Sequence, residues 1–369
     1  MKSKAIVITF CALLLALGSL FLCLPKAAFS ENENRYLAAL PQFSGKALFS
    51  GAYTAGLDTY VADHFPLRDA WVSLKTYADL AAGKRDSNGV YIAEDGYLIE
   101  MFTQLDSARY AQNLAQVQSL LSQAEASGIR TSLLLVPTAS YVLADKLPAE
   151  TPEIQQQALF RQAEAQGLPL VDVSASLLAH EDEYLYYRTD HHWTSLGAYY
   201  AYGAWAEAAG LPARSLEEYS QVLLSGDFYG TTFSKSGYYG AQPDEITAMF
   251  VDLPYTVVYN GTQRASSLYE PSHLARKDKY PVFLNGNQPV TKITGGAQNG
   301  RKLLIVKDSY ANTFAQFAAA DFQEVHLIDP RSYQASLLDY AAENGITDLL
   351  VLYNVKNFAE DTELSTLQQ

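Results

Sequence analysis

Lys302-Leu303-Leu304-Ile305-Val306-Lys307-Asp308-Ser309-Tyr310 is the stretch that decides the fold. Its apolar run has no polar alternation, as expected of a strand buried on both faces. A helix-like run follows from Tyr310 to Ala320. The pattern then repeats: Glu324–Ile328 as a strand, Ser332–Asn344 as a helix, Thr347–Leu352 as a strand. Continuous apolar strands joined by helices predict a parallel sheet covered on both sides, an α/β fold of three layers. Ser309 then stands at the carboxyl end of a strand and the mouth of a helix.

The same alternation extends toward the N-terminus. Ala108 to Ser127 reads as a helix stopped by Gly128, and Thr131 to Val136 as a buried strand ending at Pro137. Thr151 to Gln166 reads as a helix stopped by Gly167. Leu168 to Val173 reads as a strand, and Ser195 to Ala209 as a helix. Residues 211–300 are turn-rich and read as an insertion with irregular strands. Glu94-Asp95-Gly96 between two β-prone runs signals a hairpin. Gly51 to Ala82 has helical spacing, broken at Pro66. The resulting division is 1–30 as a signal peptide or membrane anchor, 31–103 as a lead-in segment with the hairpin, and 104–369 as the α/β domain.

The chain has 369 residues and a net charge of −14, from 40 acidic and 26 basic residues. No basic block is present to neutralise phosphates, so nucleic acid is not an expected partner. Twenty-six tyrosines suit a wet cleft with apolar walls, as well as a core. Lys2 and Lys4 precede an apolar run from Ala5 to Leu24, about 20 residues and so long enough to cross a bilayer. Ala28-Phe29-Ser30 has the small-x-small form of a cleavage site. The lysines favour a cytoplasmic N-terminus with the remainder outside. Both cysteines, Cys11 and Cys23, lie in this run, which leaves no disulfide framework or thiol chemistry beyond it.

Thr189-Asp190-His191-His192-Trp193-Thr194 carries the second informative pattern. A serine hydroxyl needs a base to become a nucleophile. An imidazole at position 192, oriented by Asp190 two residues earlier, supplies one, and with Ser309 completes a Ser-His-Asp acyl-transfer set. Ser309 or Asp308 in that position equally suits a helix cap. Asp190, His191 and His192 also contain metal-capable groups. Adjacent side chains on a strand point apart, however, and no HExxH or other spaced ligand set is present, so no metal is assigned. Asn354 and Arg331 follow the other two strands of the run. They stand where an oxyanion donor or a substrate contact would come, and Arg331 equally suits an ion pair with Asp329. His191 and Tyr310 flank the set as further oxyanion or substrate contacts. An extended segment would turn His191 away from Ser309.

Tyr187-Arg188-Thr189-Asp190-His191-His192-Trp193-Thr194 resembles the signature of the bacterial DHHW family. That family is similar to the alginate O-acetylation proteins of the SGNH-hydrolase superfamily. Glu33-Asn34-Arg35 with Leu40-Pro41, Phe65-Pro66-Leu67-Arg68, Gly89-Val90-Tyr91, Val136-Pro137, Gly226-Asp227-Phe228-Tyr229-Gly230 and Lys307-Asp308-Ser309-Tyr310-Ala311-Asn312 follow in the expected order. The resemblance implies an SGNH-like three-layer fold, with Ser309 as nucleophile, His192 as base, Asp190 as its orienter and Asn354 as oxyanion donor. Pro330-Arg331-Ser332 stands where a second oxyanion amide is usually supplied by glycine. The implied activity is O-acyl transfer or ester hydrolysis on a cell-envelope or extracellular polysaccharide, without a cofactor. A transferase would receive its acyl group from a membrane partner. The alternative is a non-catalytic glycan-binding or scaffold protein of the same fold.

Overall fold

In a computed structural model describing residues 2–212 and 214–366, the apolar runs become strands of one sheet. The elements that matter, in chain order, are α1 (Ser107–Ala126), β1 (Arg130–Val136), α2 (Gln156–Ala165), α3 (Ser195–Ala208), β2 (Thr256–Tyr259), β3 (Gln263–Ala265), β4 (Val290–Thr294) and β5 (Lys302–Lys307). They continue with α4 (Ala311–Asp321), β6 (Glu324–Ile328), α5 (Leu337–Asn344), β7 (Asp348–Asn354) and α6 (Val355–Glu360).

The sheet order is β3-β2-β4-β6-β5-β7-β1. Strands β6, β5, β7 and β1 are mutually parallel, with Val306 opposite both Ile328 and Val351. Alternate side chains of β5 enter different layers. Leu303 and Ile305 pack with α3 and α4 residues such as Trp205, Phe314 and Phe317. Leu304 and Val306 pack with Tyr110, Leu114 and Val117 of α1 and with Phe160 of α2. Each fully buried aliphatic or Phe side chain contributes about 1.5–3 kcal/mol over leaving it exposed, which is why the run has no polar alternation. The fold class read from the sequence is the one observed.

Three local expectations are modified. Leu168–Val173 is not a strand; it makes a single parallel bridge, Leu170 to Leu133. Pro169 has no N–H to donate, and Asp172 already accepts from the Ser174 amide at 2.8 Å to begin a short helix. Helix α2 starts at Gln156 because the chain before it is extended, with the Ile154 amide on the Phe102 carbonyl at 2.8 Å. Helix α5 starts at Leu337, where the Ser336 hydroxyl caps the Asp339 amide. Residues 332 and 333 instead close a turn on the Asp329 carbonyl. Within the turn-rich stretch 211–300, β2, β3 and β4 extend the sheet from β6 in antiparallel fashion. Ser220–Phe228 and Asp244–Phe250 form a separate bulged hairpin.

Two compact units divide the chain: one formed by residues up to Asn88 with Phe233–Gly240, the other by Gly89–Thr232 with the chain from Ala241 onward. The sheet and its helices belong to the second. In the first, the exposed helix Lys2–Cys23 contains a segment, Lys4–Cys23, long and apolar enough to cross a membrane. Helices Ala52–Asp63 and Arg68–Ala81 flank the break at Pro66, where Leu67 takes a left-handed φ of 57°. The Glu33-Asn34-Arg35 and Phe65-Pro66-Leu67-Arg68 motifs meet there: Glu33 accepts from both Arg35 and Arg68, and Arg35 forks onto Asp63.

Candidate active site

Asp190, His191 and His192 occupy a tight bend, not a strand. Its ends are closed by an antiparallel bridge between Tyr186 and Trp193. Asp190 Oδ1 accepts from the His192 backbone amide at 3.0 Å and from His192 Nδ1 at 2.5 Å. The first bond is the local turn that Asp favours two residues ahead. It swings the imidazole back onto the same carboxylate, and this explains the two-residue spacing. Asp244 fixes the entrance to the bend, accepting from the Arg188 and Thr189 amides at 2.8 and 2.7 Å.

Ser309 sits in the turn between β5 and α4. Its Oγ lies 2.7 Å from His192 Nε2, so Ser309, His192 and Asp190 form one continuous hydrogen-bonded chain. Two aromatic residues lock the turns together. Trp193 Nε1 donates to the Tyr310 carbonyl at 3.1 Å, and the Tyr310 hydroxyl donates to the His191 carbonyl. Tyr280 stacks on the His192 ring, with centroids 3.7 Å apart and planes at 8°, and its hydroxyl donates to the Ser309 carbonyl at 3.1 Å.

Electrostatics favour a neutral imidazole. Burial, with the neighbouring His191 adding to it, lowers the His192 pKa to about 4, against the pull of Asp190. Burial works to raise the Asp190 pKa, but the two histidines and the Thr231 amide outweigh it and hold the carboxylate well below its usual range. Asp190 Oδ2 accepts from the Thr231 amide at 2.7 Å and hydroxyl at 2.9 Å, so both carboxylate oxygens are occupied. A Cβ on Gly230 would stand 2.2 Å from the Asp190 Cβ. Only glycine lets the Gly226–Gly230 motif bring Thr231 to this carboxylate.

Asp308 ties the serine turn to the end of β7. It accepts from the Tyr310 amide at 2.9 Å, the Asn354 amide at 2.9 Å and Asn357 Nδ2 at 2.8 Å. The buried Lys307, lowered to about 8 by burial, donates to Asn287 Oδ1 at 2.8 Å, and Asn312 Nδ2 donates to the same oxygen at 3.0 Å. Two donors on one oxygen fix the Asn287 amide so that its Nδ2 remains a donor. The Ser309 amide keeps no backbone partner among the described residues.

A cleft of about 490 Å³ opens over this arrangement. Ser309, His191, His192, Asn287, Asn312 and Arg331 are among its lining residues. Arg331 is clamped by both oxygens of Asp329, at 2.8 and 2.5 Å. Two expectations are corrected. Asn354 does not line this cleft: its Oδ1 accepts the Lys356 amide, and its Nδ2 turns to the Val136 carbonyl at 3.4 Å. His191 does not turn away. Because the segment bends, its ring lies 3.8 Å from that of His192, and its Nδ1 bonds the Thr231 hydroxyl at 2.6 Å. Tyr310 is buried and spans the two turns from behind. Asp190, His191 and His192 offer ligand atoms within 4.8 Å of one another and are the residues that would hold a metal ion. Both nitrogens of His192 are already engaged. Sequence reasoning missed Tyr280, Thr231, Asp244 and Asn287, which lie in turn-rich segments far from either motif; the glycine spacing around Thr231 was the one available signal.

Comparison with known proteins agrees with the resemblance read from the sequence. Residues 170–328 match the family described as DHHW protein, and residues 91–222 match the SGNH hydrolase-like domain of acetyltransferase AlgX. A probable alginate O-acetylase AlgJ of Pseudomonas syringae pv. tomato is 26% identical over 215 residues, covering 53% of this chain and 55% of that protein. The AlgJ of Pseudomonas aeruginosa is 26% identical over 173 residues, 44% of each. The chain thus spans about half the length of the curated relatives it matches. A crystal structure of a DHHW family protein from Eubacterium siraeum superposes with a TM-score of 0.66 at 29% identity, covering 76% of this chain and 95% of that one. Bacillus cereus PatB1, solved with a sulfonyl adduct, shares the fold at a TM-score of 0.64 and 18% identity, covering 76% and 98%.

Proposed function

We propose that the chain is an extracytoplasmic O-acyltransferase or acylesterase acting on a cell-envelope or extracellular polysaccharide, with Ser309, His192 and Asp190 as its triad. The observation that carries this reading is the unbroken Ser309–His192–Asp190 hydrogen-bond chain opening on the cleft. His192 Nε2 takes the Ser309 proton as Oγ attacks the acyl carbonyl, and Asp190 steadies the imidazolium. The Ser309 amide and Asn287 Nδ2 are the donors best placed for the oxyanion. The departing alcohol takes its proton from His192. A sugar hydroxyl or water then gives its proton to His192 and collects the acyl group, and as the acyl–Oγ bond breaks Ser309 Oγ takes that proton back from His192. The names of the relatives, alginate O-acetylases, support an acetyl group and a glycan. The apolar helix at 4–23 supports delivery across a membrane as a signal or anchor within residues 1–30. A membrane partner supplies the donor in the transferase case.

The test is turnover of a small acetyl ester by the wild type and by Ser309→Ala. Loss of about 10³-fold or more is expected for removal of a triad nucleophile. Equal turnover by both proteins would dismiss the triad.

A further inference from the structure

The cleft over Ser309 is electronegative. Asp278, Glu360, Asp361 and Glu363 line it beyond the triad, whereas the lining guanidinium, Arg331, is held by Asp329. A second observation is independent of charge. Two lining residues are almost wholly buried yet keep a polar atom without a partner among the described residues: Asn312 Oδ1 and the Tyr353 hydroxyl. The Asn312 amide nitrogen is committed to Asn287, so its oxygen calls for a donor. A sugar hydroxyl or amine supplies one, which points to a glycan, and the acidic lining sets its charge class.

From these features we infer that the cleft takes an uncharged or amino-bearing glycan and disfavours polyuronates. The inference rests on the proposed reading of this cleft as a glycan-acyl site and adds the acceptor's charge class. A polyuronate would set one carboxylate per sugar against Asp278, Glu360 and Asp361, and among the described residues the one Lys or Arg lining the cleft is Arg331, already held by Asp329. Like charges across an interface select against a partner more reliably than opposite charges add affinity.

Binding is best read on full-length Ser309→Ala, so that turnover does not intrude. Calorimetric titration with hexasaccharides of glucose, glucosamine and a uronic acid should give affinities for the first two at least about tenfold above the third at low salt, with the gap narrowing as salt rises. In Asp278→Asn/Glu360→Gln the uronate should gain most. Uronate binding equal to or tighter than the others, binding by none of the three, or a preference unmoved by that double change would overturn the inference. Acetyl-ester turnover by the wild type separates the two readings. Turnover with a uronate preference sinks only the charge class; glucose or glucosamine binding without Ser309-dependent turnover supports the charge class and sinks the triad.

Discussion

Asp190 accepts four hydrogen bonds, two from His192 and two from Thr231. Asn in its place offers one oxygen to donors on both sides. Asp190→Asn should therefore lose about 1–3 kcal/mol of stability. It should also cut ester turnover by about 10²–10³-fold, below the loss of about 10⁴-fold that the corresponding change produces in a serine protease. Denaturant melts and steady-state kinetics on one preparation check both, and near-normal turnover would remove Asp190 from the mechanism. The lowered His192 pKa of about 4 makes a second prediction. The base is active when neutral, so kcat/KM should hold through mildly acidic pH and fall as pH drops through about 4. An acid limb centred at 6.5, the ordinary histidine value, would contradict the buried, neutral imidazole. Stability follows the same sign. The unfolded histidine binds its proton first, so stability present above pH 6.5 erodes as pH falls toward 4. His326, also lowered to about 4, chiefly by burial, adds to the erosion.

At the scale of elements, the site is three turns held in contact: the bend at 190–192, the turn between β5 and α4, and the Gly230–Thr231 step. Gly230→Ala tests that contact, because its Cβ would stand 2.3 Å from Asp190 Oδ2. Either Asp190 moves off His192 or the Thr231 amide withdraws. Turnover should fall at least about tenfold, with a stability cost of about 1–3 kcal/mol typical of overpacking. A variant with wild-type kinetics would show that the Thr231 contact is dispensable. The turns were the least legible part of the sequence. Asp-x-His could be read as a pair, but the bend that draws His191 beside His192 comes from a backbone bond to Asp190 and a bridge at Tyr186–Trp193, which periodicity does not report. Asn354 is the clearest case. Its place after a strand matched an oxyanion donor, yet its side chain caps the following helix, as Asn does wherever free amides lie within reach.

Across the whole sheet, the two ends of the strands carry different duties. At the amino end, Asp348 begins β7 and accepts from Arg130 at 2.8 Å and from Arg301 at 2.5 Å. Asp348→Ala should cost about 1–3 kcal/mol, since it strands two guanidiniums around a largely buried position, while kcat for a small ester stays within about twofold. A large kcat loss without destabilisation would contradict that division. The sequence by itself determined the layers. Unbroken apolar runs such as Leu303–Val306 must be covered on both faces, and helices between them make the strands parallel, because burial of apolar area is local to the residues and non-directional. It also marked Ser309, Asp190 and His192, through motif and strand-end position. Only the tertiary structure decided that β2, β3 and β4 extend the sheet, that Tyr280 stacks on the imidazole, that Asn287 and not Asn354 faces the cleft, and that the cleft's rim is acidic. Hydrogen bonds and ring contacts depend on the direction of side chains brought together from distant segments, and no local pattern encodes that direction.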